Sequence, residues 1–314
     1  VANKKKTISV VIPTFNEEEN VIPIYEAITN EMKKNLSKYN YDIIFIDNYS
    51  KDTTRKKIEG LCARDRRVKA IFNCKNFGPF KSPFYGILQA KGDCVVFAAA
   101  DFQDPIEMIP KFVAEWEKGY RIVIGVKTSS KENKLMYFIR TLYYKFLKKF
   151  SDVEQIEHFT GFGLYDQSFI GVLRSIDDRM PFLRSLVSEL GYERKEIPFV
   201  QAKRRAGKTS TTWYSLYEAA MLGITSYTKV GLRSATFVGF ITAILSFLVG
   251  IAYLVYKLIF WSVFPLGLAP LVIGIFFLGA VQLLFIGLMG EYILNINTRV
   301  MKHPLVIEEK RINF

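Results

Sequence analysis

The sequence predicts an α/β protein with a mostly parallel sheet flanked by helices, followed by a two-helix membrane hairpin. Two observations carry this. Short apolar runs at residues 8–12, 43–46 and 95–100 end at Pro13, Asp47 and Asp101, and each is followed by helical patterning, the rhythm of βαβ units whose polar strand ends share one edge. Near the end of the chain, two long stretches pass almost without a charge, each enough to cross a bilayer as a helix.

Composition bounds the functions available. At 314 residues, 50% hydrophobic and 15% aromatic, the chain has ample material for a core. A formal charge of +13 suits nucleic acid or an anionic membrane surface, and only its location decides between them. Three cysteines, Cys62, Cys74 and Cys94, lack metal-ligand spacing and fit a reduced compartment. His158 and His303 are the two histidines and lie far apart in sequence, which gives little support to a histidine-rich zinc site or a Ser/His/Asp triad.

The basic opening VANKKKTISVVIP has an apolar run too short for a signal peptide that stops at Pro13; it reads as the first strand. In TFNEEENV, Asn16 is expected to cap a helix whose first turn holds Glu17, Glu18 and Glu19. Such a terminus repels phosphate, so a nucleotide would meet this loop through its base or ribose. No GxGxxG or GxxxxGK[ST] motif occurs. A polar helix over about 22–37 leads to the second strand, ended by Asp47, and Asp52 with Thr53 opens the next helix. A third strand at 68–72 leads to NCKNFGPFKSPFYGILQAKGD, where Asn76 and Gly78 form a tight loop on the same edge and Ser82 with Pro83 opens a helix. The central run VVFAAADFQDPIE then presents Asp101, Gln103 and Asp104 at a strand's carboxyl end, where open α/β sheets bind ligands. Asp104, Pro105 and Glu107 make a helix-capping arrangement, leaving Asp101 and Gln103 as the candidate centre.

VVIPTFNEEENV, FIDNYSKDTT, NFGPFKSPFYGILQAKGD and ADFQDPIE resemble, in order and spacing, the motifs of family-2 glycosyltransferases with a nucleotide-diphospho-sugar (GT-A) fold. The nearest resemblance is to the polyprenyl-phosphate type, which includes bactoprenol glucosyltransferases and dolichyl-phosphate mannose synthases. It implies that Pro13, Thr14, Phe15, Glu17 and Asp47, with Asn76 and Gly78 beside them, contact the nucleotide, and that Asp101 and Gln103 hold a divalent metal, Mg²⁺ or Mn²⁺. Two departures stand out. The first acid of the family's Asp-x-Asp-x-Gln pattern is Ala99, and Asp47 is followed by Asn48 and Tyr49 where relatives more often have an acid and a small residue. One carboxylate with waters and substrate phosphates can still hold Mg²⁺.

After a strand at 121–126, residues 131–150 carry apolar and basic positions at helical spacing, read equally as a solvated domain helix or a membrane-surface helix. HFTGFGLYDQSFIGVL resembles the family's acceptor-side strand and turn, but Thr160, Gly161 and Phe162 stand where relatives often have an acid, so the resemblance assigns no base there. A strand at 192–200 leads to a basic loop in which Arg204-x-x-Gly207-x-Thr209 looks like the family's Arg-x-x-Gly-x-Ser. Arg204, with Arg205 and Lys208 and with Arg140 from the basic helix, becomes the candidate phosphate group.

The expected organisation is a GT-A domain over 1–210, a juxtamembrane amphipathic helix over 211–233, two spans within 234–293 (about 234–256 and 268–289) and a tail over 294–314. Arg233 precedes the first span and Arg299, Lys302 and Lys310 follow the second, so the positive-inside rule puts the front domain and both termini on the cytoplasmic face of the inner membrane. The basic segments then face lipid headgroups and a lipid phosphate, and nucleic acid is not an expected partner. The expected activity is inverting transfer of a sugar from a nucleotide-diphosphate donor, a UDP-sugar first, to a polyprenyl phosphate. Alternatives left open are another membrane lipid or glycan as acceptor, and a relic serving as a membrane scaffold. Sugar, lipid length and oligomeric state, a homo-oligomer included, stay open.

Overall fold

The computed structural model describes residues 5–129, 156, 158–176, 178, 181–202, 204–206, 230–260, 268–301 and 303–314, with 145, 217, 220, 221, 225 and 228. The chain divides into two units, residues 1–144, 153–210 and 301–314 in one and 145–152 and 211–300 in the other.

The first unit is built on one sheet of eight strands: β1 (Thr7–Thr14), β2 (Asn40–Asp47), β3 (Val68–Asn73), β4 (Cys94–Phe97), β5 (Ile122–Ser129), β6 (Phe159–Asp166), β7 (Arg194–Val200) and β8 (Glu308–Ile312). Their order across the sheet is β7-β5-β6-β4-β1-β2-β3-β8. The run β3-β2-β1-β4 is parallel throughout, β5 pairs parallel with β7, and β6 and β8 run antiparallel to their neighbours. Successive side chains of a strand point to opposite faces, so Val10 and Ile12 enter one buried layer and Val11 the other. The first layer takes α1 (Val21–Asn35), α2 (Thr54–Arg64) and α4 (Ile109–Glu117) through Ile24, Ile28, Ile58, Phe112 and Trp116. The second takes α3 (Gly78–Gln89), α5 (Gln167–Ser175) and α6 (Leu183–Glu189) through Phe84, Ile87, Phe169, Leu173 and Val187. Covering both faces explains why β1 and β2 are continuous apolar runs rather than alternating ones.

Several local expectations are corrected. β4 ends at Phe97 rather than Ala100: Ala98 N–H still reaches Val11 O at 3.2 Å, and the chain then turns, with Phe102 at φ 61°. Asn16 caps no helix, because it sits at φ 55° and ties its own N–H to Ser50 Oγ at 2.8 Å and its Oδ1 to Lys51 N–H at 2.8 Å; α1 begins later, at Val21. α3 begins at Gly78 with Pro79 in its first turn, where the missing N–H costs nothing, and Pro83 lies inside it. Residues 294–314 are not a simple tail. A helix continues to Val300, and β8 then pairs along β3, giving backbone partners to an edge that would otherwise be open; its charged sequence suits the new edge.

The second unit contains α7 (Val230–Ile259) and α8 (Leu268–Val300), each about 45–50 Å long at 1.5 Å per residue. Within them Leu232–Ala252 and Phe277–Thr298 have mean hydropathies of 2.2 and 1.8, long and apolar enough to cross a membrane. Phe237, Phe247, Leu283 and Leu284 are each more than two-thirds exposed, which suits lipid rather than water.

Gly163 on β6 tests the sheet's close packing. A Cβ there would lie 2.5 Å from Val123 O and 3.1 Å from Ile124 Cα, both backbone atoms. Gly163→Ala is therefore expected to destabilise the protein by roughly 1–3 kcal/mol, read as a lowered Tm in detergent. Gly60→Ala in α2, with nothing within 4 Å of its added Cβ, should be neutral or stabilising by about 0.5–1 kcal/mol.

Candidate active site

Register puts the candidate residues on one edge. Thr14 pairs with Asp47 at the ends of β1 and β2, and Val11 pairs with Phe97 at the end of β4. Loops leaving these strands carry the polar groups outward together.

Asp101 is buried at the end of the turn after β4, 4% exposed. Its Oδ1 accepts Gln103 N–H at 3.1 Å and its Oδ2 lies 3.0 Å from Arg204 Nη2. The same guanidinium places Nη1 3.3 Å from Glu17 Oε1. Arg205 N–H donates to Asp101 O at 3.1 Å, and its guanidinium stands 5.2 Å from the centre of the Phe102 ring. Segment 204–206 is thus laid on the first loop and on the β4 turn at once, helped by Asn20 Nδ2 donating to Ala206 O at 3.3 Å. Burial raises the Glu17 carboxyl above its usual range; Asn20 and Arg204 pull it down, while Asp101 and Asp52 push it further up.

Asp47, fully buried, is already heavily engaged. Its Oδ2 accepts from Tyr49 N–H at 3.1 Å, Ser50 N–H at 3.0 Å and Arg55 Nε at 2.7 Å, and Oδ1 accepts from the Ser50 hydroxyl. Next to it, Asn48 Nδ2 donates to Asn76 Oδ1 at 2.8 Å and Gly78 O at 3.1 Å, and Asn48 Oδ1 accepts from Phe77 N–H at 2.9 Å. Asn76 and Gly78 are therefore drawn to Asp47 through Asn48, the residue that departs from the family pattern. Pro13 near the end of β1 and Phe15 just after it are half-buried, and Thr14 Oγ1 donates to Ile46 O at 3.3 Å. Arg140 lies outside the described residues, as do Lys208, Gly207, Thr209 and the basic segment 131–150 apart from Lys145.

Asp104 does not cap the following turn, which has no side-chain cap. It folds back, Oδ2 accepting Ala99 N–H at 3.0 Å, and so closes the loop that presents Asp101. Burial raises its carboxyl to about 6, against the Ala99 hydrogen bond.

Among the described residues no three metal-type side chains cluster, so any cation would rest on few protein donors. The chemistry nevertheless fits a hard divalent ion. Asp101 and Gln103 offer oxygen ligands, and among the described residues Glu17 and Asp101 both pair with the Arg204 guanidinium.

A mostly parallel α/β sheet with acids and amides converging on its carboxyl edge is the framework of a GT-A nucleotide-diphospho-sugar transferase. The glycosyl transferase family 2 model matches residues 9–191, and the chain belongs to that family; it is a glycosyltransferase. It is 33% identical over 305 residues to the SfII prophage-derived bactoprenol glucosyl transferase of Shigella flexneri, across 96% of this chain and 97% of that protein. It is 32% identical over 301 residues to a prophage bactoprenol glucosyl transferase homolog of Escherichia coli strain K12, across 96% and 97%. Among solved structures, mannosyl-3-phosphoglycerate synthase from Rubrobacter xylanophilus aligns with 69% of this chain and 71% of its own, at 16% identity and a TM-score of 0.47.

Sequence reasoning missed Arg55, Asn48, Asn73 and Ser50 as builders of this edge. Arg55 gave no signal, being one basic residue on a basic helix. Asn48 was visible only as a departure from a family pattern.

The Asp104 carboxyl sets a pH dependence. An unfolded aspartate titrates near ~4, whereas buried Asp104 holds its proton to about 6. Across that window the native state binds more protons than the unfolded one, so its stability falls as pH rises. Asp104→Asn keeps an oxygen for Ala99 N–H and removes the charge. In chelator and without nucleotide, it is expected to gain on the wild type by roughly 2–3 kcal/mol between pH 4 and pH 7, measured by denaturant unfolding in detergent.

Proposed function

We propose that this glycosyltransferase moves a sugar, with inversion, from a nucleotide-diphosphate donor, a UDP-sugar first, to a polyprenyl phosphate at the cytoplasmic face of the membrane. The observation that carries this reading is Arg204. It follows β7 and precedes the apolar helices in sequence, and its guanidinium lies on Asp101 at the sheet edge. A phosphate-binding group is thus joined in sequence to the membrane segments and in space to the donor edge. Nearly full-length similarity to proteins named bactoprenol glucosyl transferases, apolar helices included, supports the lipid acceptor. Pairing of β8 with β3 supports a hairpin whose two ends lie on one side of the bilayer, and the flanking Arg233 and Arg299 favour the cytoplasmic side.

In this mechanism Pro13, Thr14, Phe15, Glu17 and Asp47, with Asn76 and Gly78, hold the nucleoside. Asp101 and Gln103 hold Mg²⁺ or Mn²⁺, which when bound supplies charge compensation to the departing diphosphate. Arg204 pairs with Asp101 Oδ2 beside that site, and its guanidinium would offer several N–H donors to a phosphate. Arg140 would join it on the acceptor. The acceptor phosphate has a second pKa near about 6 and is largely dianionic at neutral pH, so its oxygen attacks the anomeric carbon without a base at Thr160. Orientation by arginine then contributes more than proton transfer. The proposed organisation is 1–210, 211–233 and 234–293, while in 294–314 the helix runs to Val300 and β8 joins the transferase sheet.

Incubation of labelled UDP-, GDP- and dTDP-sugars with the membrane-reconstituted protein, polyprenyl phosphate and Mg²⁺ or Mn²⁺ tests the reading. The expected product is a monoglycosyl polyprenyl phosphate, formed best from the UDP-sugar and lost in chelator; label recovered in any other lipid or glycan overturns the acceptor. Asp101→Ala and Arg204→Ala should each lower transfer by about 10²-fold or more.

A further inference from the structure

The Arg55 guanidinium stands where three strand ends meet. Nε donates to Asp47 Oδ2 at 2.7 Å at the end of β2, Nη2 to Asn73 O at 2.5 Å at the end of β3, and Nη1 to Glu309 Oε2 at 2.7 Å on β8. The first two partners come from the βαβ core. The third comes from beyond both apolar helices, more than 250 residues later in the chain.

We propose that Glu309 is a positioning residue of the donor site, so that the strand after the membrane hairpin helps build the nucleotide pocket of the transferase domain. This rests on the donor reading above and extends it to a residue outside the matched family region, residues 9–191.

The physical route is short. Asp47 organises the β2–α2 loop by accepting from Tyr49 and Ser50 N–H, and Ser50 Oγ accepts Asn16 N–H at 2.8 Å in the first loop. One carboxylate is therefore linked to both nucleoside loops. Arg55 is its cationic partner, and a guanidinium held at three corners has little rotational freedom. Glu309 supplies the corner that faces solvent, being on an edge strand. The strand itself is fixed independently of this pair: Cys74 N–H donates to Ile307 O at 3.0 Å, Asn313 Nδ2 to Cys62 O at 2.9 Å and Val68 O at 2.8 Å, and Val306 is 5% exposed. Removing the Glu309 charge thus releases Arg55 without releasing β8.

Glu308 provides the control. It lies on the same strand but pairs with Arg311 rather than Arg55. In the full-length enzyme in detergent, UDP, GDP and dTDP binding, donor KM, kcat and Tm are measured for the wild type, Glu309→Gln and Glu308→Gln. Glu309→Gln is expected to raise the Kd of the preferred nucleotide and the donor KM together by about threefold, the scale of a partly exposed ion pair, with kcat and the acceptor KM unchanged. Glu308→Gln is expected to leave both donor constants alone. If the wild type binds one of these nucleotides and Glu309→Gln binds it equally, or if Glu308→Gln shifts the donor constants as much, the inference is overturned while the donor reading stands. A wild type that binds none of the three overturns the donor reading, and the inference with it.

Discussion

The constraint on which the rest of the molecule depends is the common end of β1, β2 and β4. Parallel pairing sets Thr14 opposite Asp47 and Val11 opposite Phe97, so loops that leave the strands after these points emerge from one edge. Both faces of those strands are covered, which makes a slip of register costly because it would carry every side chain to the other layer. Polar groups far apart in sequence, such as Glu17, Asp101 and Arg204, can then meet within hydrogen-bonding distance without any of their loops being regular.

Charge balance is the second level of organisation. Buried carboxylates are tolerated where a cation or several N–H donors face them. Asp47 has Arg55 and the loop amides, Asp101 has Arg204 and Gln103 N–H, and Asp104 has, among the described residues, Ala99 N–H, with the raised carboxyl that burial imposes. The edge is therefore graded, from a saturated carboxylate at Asp47 to a partly compensated pair at Glu17 and Asp101. That gradient separates a scaffold for the loops after β1 and β2 from a place where added positive charge is favourable.

Much of this was legible in the sequence because it follows local rules. Apolar runs ending in Pro13, Asp47 and Asp101 announced the parallel strands, and the long uncharged stretches announced α7 and α8. What was not legible depends on distant partners. Asn16 has the residue type of a cap, but its side chain is taken by Lys51 N–H from another loop. Asp104, Pro105 and Glu107 spell a capping signature, yet the Asp104 carboxylate turns back because Ala99 N–H, left without a ladder partner when β4 stops early, needs an acceptor. β8 was invisible for a related reason: EEKRI has no apolar alternation, since an edge strand in contact with water is held by its backbone and by ion pairs rather than by a buried face.

Ala99 shows how a lost acid and its surroundings fit together. An aspartate there would add a third carboxylate to a turn that already contains Asp101 and buried Asp104, whose carboxyl is raised to about 6. Like charges so close cannot all ionise without a strong counter-charge. Alanine removes that repulsion and leaves its N–H to close the turn on Asp104. In the proposed reading the consequence is a site with fewer permanent ligands, in which a cation, the diphosphate and Arg204 depend on one another. Asp101 Oδ2 is paired to the guanidinium, which holds the carboxylate in place. A cation held by Asp101 and Gln103 would add the positive charge that Glu17 and Asp101 now take from Arg204.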